Sequence, residues 1–298
     1  MAVGDLITAA RYNNAQARVA AIMGVGSTTE GYGQTLNSSQ VSTALTVTAA
    51  QVNALYADLV AGTIHQTGST PTTIAEIVVG NKIADATSDD PDGAKKGFQD
   101  YEDLITIFEA DPGRFAVAAS QTTNGTGVTS TRTAAWNTDI AHVVRVDFTT
   151  ADARRNYFNA GGTIKFEATL ASAGDAKSND WASMLSNMGT IAMGYTATTS
   201  TGTGTVTSIG NFDLTSSNQV LFRKPGTGVY SANDYYVYAK ANSATQLEFT
   251  LQFQEEAAGN PNFDEQVNGT LVNSVKFKRP SGSYVTLPAP SFVTVTSL

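Results

Sequence analysis

The chain carries two histidines, His65 and His142, and no cysteine, which excludes thiol nucleophiles, disulfides, iron–sulfur clusters and cysteine-ligated zinc. His142 stands among valines in AHVVRVDF and reads as a packed or sheet-surface histidine rather than a general base. His65, in GTIHQTGS, follows the expected end of a helix, where its side chain can satisfy terminal carbonyls. No HExxH or related spacing joins the two into a metal site. The stretch SDDPDG comes nearest to a metal loop: Ser88, Asp90 and Asp92 fall at alternate positions with Gly93 sixth, as in an EF-hand calcium loop. Ser88 stands where Asp belongs and Gln99 where a bidentate Glu belongs, so the alternative is a plain acidic turn ahead of a helix.

The carboxylate pairs Asp100/Asp103 and Glu255/Glu256 read as exposed, whereas general acid/base work needs one member buried with a shifted pKa. The chain has no phosphate-binding G-x-x-x-x-G-K-[ST], no dinucleotide fingerprint after a strand and no G-x-S-x-G elbow. The aromatics of DYYVYAK, with Trp136, offer either stacking surface for sugars or bases, or side chains for a strand core. The clusters Arg154-Arg155 and Lys276 to Arg279 read as solvated surface. With 18 basic against 26 acidic residues and a formal charge of -8, the chain is poorly suited to binding along a phosphate backbone. These residues predict no catalytic group, no cofactor and no nucleic-acid partner.

The elements that must position these residues change character near residue 112. ITAARYNNAQARVAA, from Ile7, returns forty residues later as VTAAQVNALYADLVA, from Val47. Thr8 and Thr48 each stand at an N-cap position ahead of Ala-Ala, and Gly24 and Gly62 read as the two stops. Between the copies lies a polar, glycine-rich loop. TPTTIAEIVVGNKI predicts another short helix with Ile74, Ile77, Val78 and Ile83, and GFQDYEDLITIFEAD places Phe98, Tyr101, Leu104, Ile105 and Phe108 on one helical face. Asp111-Pro112-Gly113 ends that region.

Beyond it RFAVAAS, HVVRVDF, TIKFEATLA, TIAMGYTATT, GTVTSIGNFDL, QVLFRKP, DYYVYAKAN, QLEFTLQFQE, TLVNSVKFKR and FVTVTSL read as strands. TTADARRNYFNAGG, capped by Thr150, and KSNDWASMLSNMG read as helices between them. The Thr/Gly-rich TATTSTGTGTVTS reads as a hairpin. The resulting fold class is α+β: a mainly helical region over 1–112, then a mainly antiparallel β domain over 113–298, either a sandwich or a partly closed barrel, with short helical insertions.

At 298 residues and 41% hydrophobic content the chain is long enough for two cores. No apolar run spans a membrane, and Met1 to Asp5 offers neither a basic start nor an apolar signal core, so the expectation is a protein left in a cytoplasm or carried out of it in a particle. Charged residues make up only 15%, with Ser, Thr, Gly, Ala and Asn filling the difference, which suits a protomer that hides surface in an assembly.

The chain resembles the virion structural proteins of tailed bacteriophages, above all those of T4-like phages infecting marine cyanobacteria. The resemblance is carried by GDLITAARYNNAQARVAAI, YGQTLNSSQVS, VTAAQVNALYADL, HQTGSTPTTIAEI, ARRNYFNAGGTIKFEA and NDWASMLSNMGTIAMG. Gly4, Asp5, Ile7, Thr8, Ala9, Tyr12 and Asn13 match an opening pattern of phage tail and fibre proteins. It implies a non-enzymatic virion component, assembled in the host cytoplasm and attached through its N-terminal region to a tail, neck or head. The length suits a tail, neck, collar, short-fibre or adaptor protein better than a long fibre. The implied partners are further copies of itself, other virion proteins and a host-surface glycan. A carbohydrate-binding or host-surface adhesin and a capsid-decorating protein are the alternatives. In the duplicated helix, Thr8, Tyr12, Asn13, Val19, Thr48, Val52 and Asn53 either face a neighbouring protomer or line one intramolecular core.

Overall fold

The computed structural model describes residues 7–78, 85–86, 97–110, 113–257 and 266–298. Five α-helices and eleven β-strands lie among them, helices first and antiparallel sheet after, an α+β fold. The chain divides into two compact units whose segments alternate in sequence. The first comprises Met1–Thr122, Arg155–Gly161 and Pro280–Leu287, the second Thr123–Arg154, Gly162–Arg279 and Pro288–Leu298.

In the first unit α1 (Ala9–Met23) begins where the Thr8 hydroxyl accepts the Arg11 N–H. α2 (Ala49–Thr67) begins at a full capping box of Thr48 and Gln51. α3 (Phe98–Glu109) buries Phe98, Tyr101, Leu104, Ile105 and Phe108, the face its period predicts. These helices share one apolar core with Tyr12, Val19, Leu55 and Leu59, each such side chain contributing roughly 1.5–3 kcal/mol on burial.

Three local expectations fail in this unit. α2 does not stop at Gly62 but runs to Thr67 and ends at Gly68, which takes the left-handed conformation with φ 80°. A Cβ on Gly62 would lie 2.4 Å from the Phe108 ring and 2.8 Å from the Met23 sulfur, so this glycine marks a close approach of α2 to its neighbours. Residues 71–78 form no helix, because the Ile77 N–H and C=O are both taken by the Asn53 side chain and the Ala75 carbonyl accepts from the Tyr101 hydroxyl. RFAVAAS is not a strand: it holds parts of two 3-10 turns, Gly113–Phe115 and Ala119–Gln121.

The second unit contains two antiparallel sheets. Its strands are β1 (Thr122–Arg132), β2 (Ile140–Asp147), β3 (Thr163–Ser172), β4 (Ile191–Met193), β5 (Thr198–Ser200), β6 (Thr205–Val206), β7 (Gln219–Pro225), β8 (Asp234–Ser243), β9 (Gln246–Gln254), β10 (Gly269–Pro280) and β11 (Ser291–Thr296). One sheet has the order β1-β10-β3-β4-β5 and the other β11-β2-β9-β8-β7-β6. Neither closes on itself, so the arrangement is an open sandwich rather than a barrel. Phe166 of β3 meets Phe249 of β9 at 4.9 Å between ring centroids, and Phe277 of β10 stacks on Phe292 of β11 at 5.6 Å, contacts that join the two inner faces.

Alternation sorts the residues of each strand. On β9, Leu247, Phe249, Leu251 and Phe253 are fully buried while Glu248, Thr250 and Gln252 face outward. β1, TTNGTGVTSTR, has Val128 as its one apolar side chain and no apolar alternation; the rings of Phe277 and Phe292 occupy the space where side chains on Gly125 and Gly127 would project. The Thr/Gly-rich segment is not a hairpin. β5 pairs with β4 in one sheet and β6 with β7 in the other, so the chain changes sheets there. Thr203 N–H donates to Asn187 C=O and holds the crossing in place.

Two helices accompany the sheets in sequence. α4 (Ala151–Asn159) starts at Thr150, whose hydroxyl accepts the Ala153 N–H, and leaves through Gly161 at φ 87°. Tyr157 and Phe158 are buried, as its pattern predicts. α5 (Ala176–Met188), capped by Asp175, buries Trp181, Leu185 and Met188.

Candidate functional site

The repeated element is the same device twice. In α1 the Asn13 amide donates to the Val41 carbonyl at 2.8 Å while its oxygen accepts the Val41 N–H at 2.8 Å. In α2 Asn53 does the same to Ile77, at 2.9 and 2.8 Å. Each Asn lies five residues after its capping Thr, one turn inside the helix, and pins the backbone of a non-helical segment as a neighbouring strand would. Tyr12, Val19 and Val52 are fully buried in the core, and the Tyr12 hydroxyl donates to the Gln51 carbonyl at 3.0 Å. The side chains of Thr8 and Thr48 are engaged as caps on the exposed helix ends. The seven interface candidates thus all make contacts within their own unit.

The second copy departs from the first at Asp58, where α1 has Arg18. Asp58 is 2% exposed and accepts four hydrogen bonds, from the backbone and side chain of both Asn37 and Ser38, at 2.6–2.9 Å. It fixes the polar loop between the copies at Asn37 and Ser38. Asn159 adds to this, donating to the Thr29 and Gly31 carbonyls at 3.1 and 2.9 Å.

The chemical candidates are mostly structural. His65 is not beyond the helix end but in the last turn of α2, 1% exposed, with Nε2 donating to the Ala160 carbonyl at 3.0 Å and the Tyr32 ring 5.2 Å away. Burial pulls its pKa down to about 4, so it is neutral at pH 7. His142 is buried between the sheets, Nδ1 at 2.7 Å from Asn273 Oδ1 and Nε2 at 3.3 Å from Thr294 Oγ1, and desolvation lowers its pKa too. Asp100 accepts the Gly97 N–H at the start of α3 and Asp103 accepts from Gln99, which are capping and surface roles.

Two surface expectations are corrected. Glu255 is buried: Lys177 donates to one of its carboxylate oxygens at 2.8 Å and the Trp181 indole N–H to the other at 2.9 Å. Both side chains of the ion pair are 1% exposed. Arg154 is also buried, donating to Asn211 Oδ1 at 2.8 Å and the Ser243 carbonyl at 2.9 Å, and desolvation lowers its pKa to about 10. The calcium-loop candidates Ser88, Asp90 and Asp92 lie outside the described residues, as do Gly4, Asp5 and Ile83. Among the described residues no group of three or more His, Asp or Glu side chains is placed to hold a metal ion.

Polar and aromatic side chains also lie on the outward face of each sheet. The DYYVYAK aromatics divide by strand parity: Tyr235 is fully buried, while Tyr236 and Tyr238 point outward, half-buried, with ring centroids 5.2 Å apart and planes 21° from parallel. Arg223 lies 5.6 Å over the Tyr236 ring and is held there by a bidentate pair with Asp234 at 2.8 and 2.7 Å. Trp136 is buried, not available for stacking on a ligand.

The outer face of the five-stranded sheet carries a groove of about 290 Å³. β1 lines it with Asn124, Gly125 and Thr126, β3 with Lys165 and Glu167, β10 with Lys276 and Phe277. Lys165 and Lys276 are cross-strand partners in register. Lys165 Nζ donates to Asn124 Oδ1 at 2.8 Å, and Lys276 Nζ to Glu167 Oε2 at 2.6 Å. The Lys276 ammonium holds the Glu167 carboxyl below the usual carboxylate range. Lys278, two residues on along β10, is lowered by burial and by the charge of Lys165. Of the basic residues from Lys276 to Arg279, Lys276 thus lines a concave site together with Lys165.

No family model matches the chain, and neither the curated proteins nor the solved structures provide a match.

Proposed function

We propose that the protein is a non-enzymatic structural component of a tailed-phage particle, of tail, neck, collar or short-fibre and adaptor type, which docks through its helical unit and presents the sandwich as its body. The observation that carries this reading is the doubled Thr-Ala-Ala-x-x-Asn spacing, Thr8 to Asn13 and Thr48 to Asn53. Thr8 and Asn13, which belong to the stretch resembling the phage attachment pattern, cap and clamp a helical unit with a core of its own. Val25, Leu45 and Ile107 stand exposed in that unit, at 66%, 61% and 61%, and supply apolar surface for a neighbour. Self-association follows the symmetry of such particles.

The test is immunogold electron microscopy of purified particles, using serum raised against the recombinant chain. Gold at the tail, neck or a projecting fibre is the expected result. Absence of label from intact and disrupted particles alike overturns the proposal.

A further inference from the structure

The geometry points to a carboxylate-bearing saccharide, of the uronic-acid class, as the ligand of the groove on the outer face of the five-stranded sheet. The inference does not depend on the particle reading. Three observations combine. First, the protein carries a formal charge of -8, yet here the in-register pair Lys165 and Lys276 stands with Glu167 as the one carboxylate among the described residues that line the groove. Such a local excess of positive charge attracts an anion against the overall field.

Second, each groove ammonium has donors left to offer. A lysine carries three N–H groups; Lys165 directs one to the neutral Asn124 amide and Lys276 one to Glu167. Lys165, whose bonded partner is an amide and not a carboxylate, is the natural seat for the ligand's anion.

Third, the remaining lining is suited to hydroxyls. Asn124 offers an amide, Thr126 a hydroxyl and Glu167 an acceptor carboxylate. The lysines would attract a free phosphate or sulfate as well, but a fully ionised oxyanion has no hydroxyl donor to turn the repulsion from Glu167 into a hydrogen bond, whereas a sugar acid brings one anion for the lysines and hydroxyl donors for Glu167. A cavity of about 290 Å³ is at the small end of ligand sites, the scale of a single ring or a short oligomer end. The strands hold these groups on a rigid sheet, so little ordering opposes binding.

Isothermal titration of the full chain with tri-galacturonate, maltotriose and inorganic phosphate tests this. Tri-galacturonate is expected to bind, more weakly as salt is raised, and maltotriose and phosphate are not. Lys165→Gln and, independently, Asn124→Asp, which sets a carboxylate beside Lys165, should each weaken binding about tenfold or more. Both sites are on the sheet surface, and far-UV circular dichroism checks that the fold is kept; should one variant misfold, the other decides. Tyr238→Ala, on the opposite sheet's outer face, should leave binding unchanged. No binding of tri-galacturonate, equal binding of phosphate, or unaltered affinity in the correctly folded groove variant overturns the assignment. Because the assay uses purified chain, its failure leaves the particle location untouched, and a negative labelling result leaves the groove untouched.

Discussion

At the residue scale, the groups most easily taken for chemistry prove to be groups that hold the backbone. His65 shows the consequence. Its pKa is about 4 in the folded chain against an ordinary 6.5, because burial disfavours the imidazolium. The unfolded state therefore binds the proton first: stability is fully present above pH 6.5 and is lost as pH falls towards 4, by roughly 3 kcal/mol for this one group. His142 is shifted in the same direction and adds to the same window. Urea unfolding at pH 7 and pH 4.5 should show a steeper loss in the native chain than in His65→Gln, whose amide can keep the bond to Ala160. Equal losses would mean that His65 is charged or solvated in the folded state. Lys177 and Glu255 teach the related lesson: neighbours in sequence made Glu255 look exposed, while the partner that permits its burial lies 78 residues away.

At the element scale, the strongest local signals hold: the two Thr caps, the one-sided face of α3, and the alternation of β2, β3, β8, β9 and β10. Each is decided within a few residues, by a hydroxyl reaching a free N–H or by a period of 3.6 or 2. The failures arise where a distant partner outweighs local preference. Residues 71–78 have helical spacing, but Ile77 gives its N–H and C=O to Asn53 and Ala75 its C=O to Tyr101, and β1 has poor strand propensity but is completed by two phenylalanine rings. The clamp makes a prediction at this scale. Asn13→Ala leaves the Val41 N–H and C=O without partners and should cost about 1–3 kcal/mol, and Asn53→Ala should cost a similar amount through Ile77. The exposed neighbour Asn14→Ala should change stability by no more than about 0.5 kcal/mol. Denaturant midpoints separate these cases; indistinguishable Asn13 and Asn14 variants would show that the clamp contributes nothing.

At the scale of the whole molecule, each unit is assembled from separated stretches of chain. The core of the first includes Ala160, Val285 and Leu287, and Ala160 also supplies the acceptor for His65. A fragment ending at Thr122 lacks all of these, and is expected to melt without a sharp transition, or at far lower temperature than the full chain. A cooperative, undiminished melt of that fragment by circular dichroism would show the later segments to be dispensable. The sequence by itself determined the α+β class, the order of helices before strands, the helix starts and the inward face of most strands, because these follow from neighbours in the chain. Only the tertiary structure decided which sheet each strand joins, that Gly62 is a contact and not a stop, that Glu255 and Arg154 are buried, and that Lys165 meets Lys276 across a groove. Those outcomes depend on pairings between residues far apart in sequence, and neither composition nor periodicity encodes a pairing.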